Sequence, residues 1–224
     1  MTAAAIAPAP GGLGAMPWAE MMAAWIVFAG NLFSPGPNVL NTIAIALGSG
    51  RRVAMAVVPA VGLGVLVWGA AAVLGAAALF QERPWLAPAL SALGGGLLLW
   101  FAWRYAGTAL SWSPAQAEGR LMAPREAFAR TLGILATNPK ALTTWLVLVS
   151  IFPVASASPA AMAVMIAGSV LVACACHAAY ALLFSTRPAA AAYLRAGRWI
   201  NAGVAVFFAG LGATLLLGAT RALT

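Results

Sequence analysis

Long apolar runs, separated by short polar or basic interruptions, fill the chain from about residue 18 to its end. A helix that crosses a bilayer needs about 20 mostly apolar residues, and six segments reach that length. The first runs from about Trp18 to Gly50 and is closed by Arg51-Arg52. The second, Val53 to Phe80, carries no charge. After the turn Gln81-Glu82-Arg83-Pro84, the third runs from Trp85 to Leu110. A polar loop at 111–125 separates it from the fourth, Glu126 to Phe152. The fifth covers Ala160 to Ser185; Arg187 to Arg198 reads as a basic connection, and the sixth covers Trp199 to Gly218. The pattern predicts an all-α polytopic membrane protein with six transmembrane helices. It divides into a flexible tail at 1–17, a three-helix repeat at 18–110, a connecting loop at 111–125 and a second three-helix repeat at 126–220. Three spans per half make the second half enter the membrane from the opposite side. Corresponding halves are then inverted repeats, which alternate access by rocking around a site at mid-membrane.

Two of the six segments are broken near their middles. Ser34-Pro35-Gly36-Pro37-Asn38 interrupts the first, and Thr137-Asn138-Pro139-Lys140 interrupts the fourth. Proline removes a backbone N–H and clashes with the preceding turn, and Gly36 adds permissive dihedrals between two prolines. The freed backbone groups need partners, so such turns are tolerated only inside protein or facing water. At the second break Asn138 suits the N-cap and Pro139 the first helical position. Each break ends one half-helix with open carbonyls and starts another with open N–H groups. The start favours a carboxylate, and the carbonyls favour an ammonium. A small zwitterion such as an amino acid matches both. Pro35, Gly36, Pro37, Asn38, Asn138, Pro139 and Lys140 are therefore the candidate substrate-binding residues.

Composition narrows the class. The 224 residues are 63% hydrophobic and 7% charged, with mean hydropathy +0.95. A soluble domain carries about 25% charged residues. The 12 Lys+Arg against 4 Asp+Glu do not form a nucleic-acid surface, because they sit at segment ends. One set of loops holds Arg51, Arg52, Arg104, Arg120, Arg125, Arg130, Arg187, Arg195 and Arg198; the other holds Arg83 and Arg221. The positive-inside rule puts the first set and the central loop in the cytoplasm, and both termini outside. Trp85, Trp100, Trp103, Tyr105, Trp112 and Trp199 lie near segment ends, where amphipathic rings prefer the headgroup region. The Ala/Pro/Gly-rich stretch before Met16 lacks the basic region of a secretory signal.

Lys140 is the only lysine and lies within a span. A charge there costs about 2.5–3.5 kcal/mol on insertion scales and is usually retained for function. It can hold a substrate carboxylate, carry a coupling proton, or contact the freed carbonyls. Asn38 and Asn138 are its neutral polar partners, and Asn31 and Asn41 flank the first break on roughly one helical face. His177, the only histidine, is a second proton-coupling candidate, with a packed or hydrogen-bonded core role as its alternative. Cys174 and Cys176 diverge by roughly 200° on a helix, so no metal site is expected from them; a metal-ion exporter would use Cys174 and His177. The helix-two, -three and -six glycines read as close-packing positions. The four acidic residues lie near segment ends and no nucleophile–base set or phosphate loop occurs, so neither an enzyme nor a cofactor is expected.

These motifs resemble a known family. Ser34-Pro35-Gly36-Pro37-Asn38, Gly50-Arg51-Arg52 and Gly62-x-Gly64 look like the opening of the LysE/RhtB amino-acid exporters. Phe128 to Ala141, ending Asn138-Pro139-Lys140-Ala141, resembles their fourth-helix motif. Arg198-Trp199-Ile200-Asn201 with Gly203 and Gly210-Leu211-Gly212 resembles their last helix. The resemblance covers about residues 16–220 and points to Met16 as a start. It implies a multi-pass secondary exporter of the inner membrane, moving amino acids or related metabolites on the proton-motive force. Its partners are then a small-molecule substrate, protons and the lipid bilayer, with no nucleic acid and with a homo-oligomer left open. The competing reading is a channel or passive permease for a small solute.

Overall fold

The computed structural model describes residues 16–34, 36–82, 86–113, 121–154 and 156–223. Pro35, Trp85, Arg83, most of the central loop and nearly all of the predicted tail lie outside them. Eight helices are present among the described residues: α1 (Trp18–Phe33), α2 (Pro37–Ala54), α3 (Val57–Glu82), α4 (Leu86–Leu110), α5 (Pro124–Thr137), α6 (Pro139–Ile151), α7 (Pro159–Leu183) and α8 (Arg187–Leu223).

Both proline breaks interrupt the backbone. Ser34, at φ −70° and ψ 130°, leaves the helical region after α1, and α2 restarts from Gly36 with a proline in its first turn. Asn138, at φ −83° and ψ 110°, separates α5 from α6 in the same way. The residue before a proline is pushed towards extended geometry, and Asn138 obeys that rule. At 16 residues α1 is only about 24 Å long, short of the ~30 Å hydrocarbon core. Val57–Ala78, Pro159–Leu183 and Arg187–Ala219 are long and apolar enough to cross a membrane.

The last segment differs from the pattern expected of it. Arg187 to Arg198 is not a connection: it is the first third of α8, which runs unbroken to Leu223. Hydropathy marks this stretch as polar. Its run Ala189 to Ala192 has the highest helix propensity available, and Pro188 falls in the first turn, where its missing N–H costs nothing. Ala190 and Leu194 are buried, so the extension packs against the body of the protein.

The packing partners follow a pattern. α1 lies on α6 and α7, while α5 lies on α2 and α3; α3 packs along α7 and α4 along α8. The outer surface is apolar, with Trp103 70% and Trp199 75% exposed, which suits lipid. Trp112 ties the end of α4 to α8: its Nε1 donates to the Leu194 carbonyl at 2.9 Å and its ring faces Gly197. α4 and α8 approach most closely at Gly95 and Gly212, where a Cβ on Gly212 would lie 2.9 Å from the Gly95 carbonyl oxygen. The obstacle is backbone and cannot swing aside. Gly212→Val is expected to cost about 1–3 kcal/mol through overpacking. Thermal unfolding of the detergent-purified variant checks this; an unchanged midpoint would mean that the two helices have slack.

Candidate functional site

The end of α1 shows how the break is stabilised. Its last carbonyls have no continuing helix to accept from, and a buried orphan carbonyl is costly. Three side chains from the second half of the chain supply donors. Lys140 Nζ donates to the Asn31 carbonyl at 3.1 Å, the Tyr180 hydroxyl to Leu32 at 3.1 Å, and the Tyr193 hydroxyl to Phe33 at 2.8 Å. At the other break, Trp68 Nε1 donates to the Leu135 carbonyl of α5 at 3.3 Å. The carbonyls that looked available to a substrate ammonium are therefore largely taken by the protein itself.

Lys140 sits at the centre of this arrangement. Besides the Asn31 carbonyl, its Nζ lies 5.3 Å from the centroid of the Tyr105 ring, a cation–π arrangement. The Tyr105 hydroxyl donates to Asn31 Oδ1 at 2.7 Å, and Asn31 Nδ2 donates to Thr144 Oγ1 at 2.7 Å. Thr144 in turn donates to the Lys140 carbonyl at 2.5 Å. Each of these partners is neutral. Gly36 makes the reach possible, because a Cβ there would lie 3.2 Å from Nζ. Contact with a freed carbonyl, one of the roles open to Lys140 from sequence, is thus present.

Both breaks line one cavity of about 60 Å³. Gly36, Pro37 and Asn38 border it from the first break, Asn138 and Lys140 from the second, and His177 from α7. On that measure a water needs about 10–15 Å³, so the space suits a small polar solute. The two helix starts differ. Asn138 caps α6, its Oδ1 accepting from Lys140 N at 3.0 Å. Gly36 offers α2 no side-chain cap, which leaves the positive end of that helix turned to the cavity. Two of the residues that line it carry a buried acceptor with no partner, Asn38 at Oδ1 and His177 at Nε2.

Of the residues singled out from sequence, six of the seven candidate binding positions lie at the two breaks; Pro35 is outside the described residues. His177 joins the same cavity, whereas Cys174 does not line it. The Cys174 thiol lies 3.7 Å from the Val58 carbonyl and against Gly62, and among the described residues no three metal-ligating side chains come together. Asn31 and Asn41 do not share one face. The break redirects the chain between them, so that Asn31 pairs with Thr144, while Asn41 donates to Thr131 at 3.0 Å and accepts from Arg130 Nε at 2.9 Å. Tyr105 is not a headgroup aromatic; it is part of the Lys140 network. Thr144, Tyr180, Tyr193 and Trp68 were not anticipated as partners of the breaks. The Lys140–Thr144 spacing of four residues was the one local signal for any of them.

The LysE type translocator model matches residues 29–219. The chain belongs to the LysE type translocator family. It is a membrane transporter and not an enzyme. The threonine efflux proteins of Salmonella typhi and Salmonella typhimurium are each 28% identical over 189 residues, covering 83% of this chain and 92% of theirs. That of Escherichia coli K12 is 26% identical over the same coverage. No solved structure gives a significant match.

Proposed function

We propose that this LysE-family translocator exports small neutral amino acids, threonine or close analogues, across the inner membrane on the proton-motive force. The observation that carries the reading is a cavity bordered by both helix breaks, with a lysine whose contacts among the described residues are neutral. The substrate carboxylate docks between Lys140 and the uncapped first turn of α2, where ammonium and helix start both favour an anion. Gly36 and Pro37 open that turn, and Asn138, as the cap of α6, places Lys140. Lys140 is also the coupling group, since gain or loss of its proton changes the charge of the cavity by a full unit. The 83–92% coverage of the threonine efflux proteins supports the substrate class.

The architecture proposed is six spans in two inverted repeats, 18–110 and 126–220, joined by a cytoplasmic loop, with α1–α2 and α5–α6 each counting as one broken span. Support comes from packing: exchanging the halves turns the α1–α6 contact into α5–α2 and the α1–α7 contact into α5–α3, and leaves α3–α7 and α4–α8 in place. Reporter fusions at Gln116 and at the C-terminus should fall on opposite sides of the membrane, the first inside. Finding both on one side overturns the topology.

The transport test is a panel of radiolabelled amino acids loaded into proteoliposomes, with and without a pH gradient. Saturable efflux of short-chain neutral amino acids, faster with the gradient, is expected. Non-saturating flux that follows only the concentration difference would make the protein a passive permease.

A further inference from the structure

We propose that His177 Nε2, together with Asn38 Oδ1, accepts hydrogen bonds from the α-ammonium of the transported amino acid, and so makes the site select for a free amino group. This rests on the export reading above.

His177 is 1% exposed, in the C-terminal third of α7. Its Nδ1 lies 3.0 Å from the Ala173 carbonyl. A carbonyl can only accept, so Nδ1 carries the proton and Nε2 of the neutral ring presents a lone pair. The Tyr180 ring packs edge-on at 5.9 Å, and its hydroxyl is anchored on the Leu32 carbonyl, so the imidazole is held from two sides. Yet Nε2 has no partner, and neither has Asn38 Oδ1. A buried acceptor left unsatisfied costs about 1–3 kcal/mol. Two of them on residues that line one cavity call for a donor inside it.

The donor is identified by elimination among the neighbours. The Asn31, Leu32 and Leu135 carbonyls already accept from Lys140, Tyr180 and Trp68, so they call for a substrate ammonium less strongly than the two acceptors with no partner. Lys140 Nζ, the cation in the cavity wall, is engaged by Asn31 and the Tyr105 ring. An ammonium carries three donors, enough for both open acceptors. A carboxylate, which only accepts, can satisfy neither.

The test uses the full-length protein in proteoliposomes, with radiolabelled L-threonine in counterflow. The competitor is 2,3-dihydroxybutyrate of matching stereochemistry, which has a hydroxyl in place of the ammonium. The wild type should prefer L-threonine by about 10–100-fold, the scale of a charge-assisted hydrogen bond. His177→Phe keeps the ring's shape and leaves no new orphan, because the Ala173 carbonyl remains in the helical ladder. It should raise the KM for L-threonine about tenfold and weaken inhibition by the dihydroxy acid, whose hydroxyl is a single neutral donor, by much less, so that the preference narrows. His177→Gln, which restores an acceptor, should recover part of it. Equal weakening of both ligands would overturn the assignment in favour of a packing role. No change for either would overturn it in favour of a water bridging the two acceptors. A wild type with no saturable counterflow would overturn the export reading itself, and this assignment with it.

Discussion

Lys140→Met should stop transport and leave the protein at least as stable as the wild type. The two effects separate because, among the described residues, the cation has only neutral partners. Its contacts with the Asn31 carbonyl and the Tyr105 ring offset only part of what removing an ammonium from water costs. Methionine keeps the apolar stem and drops the charge. The Asn31 carbonyl then loses one donor, a loss of about 1–3 kcal/mol, against a charge whose insertion alone costs about 2.5–3.5 kcal/mol. Transport has no such offset. A charge-assisted bond to the substrate carboxylate contributes about 1.5–3 kcal/mol, and coupling through Lys140 vanishes with its proton. Efflux should fall by at least about 100-fold. Lys140→Arg should recover little, because a planar guanidinium is wider than the space beside Gly36 and effectively never releases its proton. Efflux at matched membrane levels, with thermal unfolding in detergent, reads both effects. Normal efflux in Lys140→Met would reduce Lys140 to a helix cap.

Asn31→Leu should be the most destabilising single change at the site. One side chain joins α1 to α6 through Thr144 and to α4 through Tyr105, and both bonds are short. Leucine has similar volume but no polar atoms. The Tyr105 hydroxyl loses its Asn31 acceptor and keeps only the Ser34 side chain beside it, and Thr144 keeps only the Lys140 carbonyl. Two lost bonds and a poorly satisfied hydroxyl sum to about 3 kcal/mol, enough to lower the unfolding midpoint by several degrees. Adding Tyr105→Phe to Asn31→Leu removes that hydroxyl, so the double variant should be more stable than the single one. Strictly additive losses would show that Tyr105 and Asn31 are not coupled.

The features legible in the sequence were those with local causes. Proline stops a helix when it falls beyond the first turn, so both breaks fell where the residues put them. A single lysine in an apolar run announces itself, and an asparagine before a proline is a ready N-cap. The features that were not legible depend on distant parts of the chain. Nothing near Leu32 or Phe33 says that Tyr180 and Tyr193 will close off their carbonyls, and that closure moves the ammonium acceptors from the α1 backbone to two side chains. Asn31 and Asn41 looked like neighbours because helical spacing was carried across a break that redirects the chain. The start of α8 was misread because hydropathy outweighed the helix propensity of four alanines.

The central claim is that substrate sits between the two breaks. Ala141, one residue beyond Lys140, lines the cavity. With Cys174 and Cys176 replaced by alanine, Ala141→Cys gives one thiol at that place. The rate of its modification by a small membrane-permeant thiol reagent should fall as L-threonine is added, with half-protection at the concentration that half-saturates efflux. An active Ala141→Cys transporter whose labelling rate ignores saturating L-threonine would place the substrate elsewhere and contradict the account.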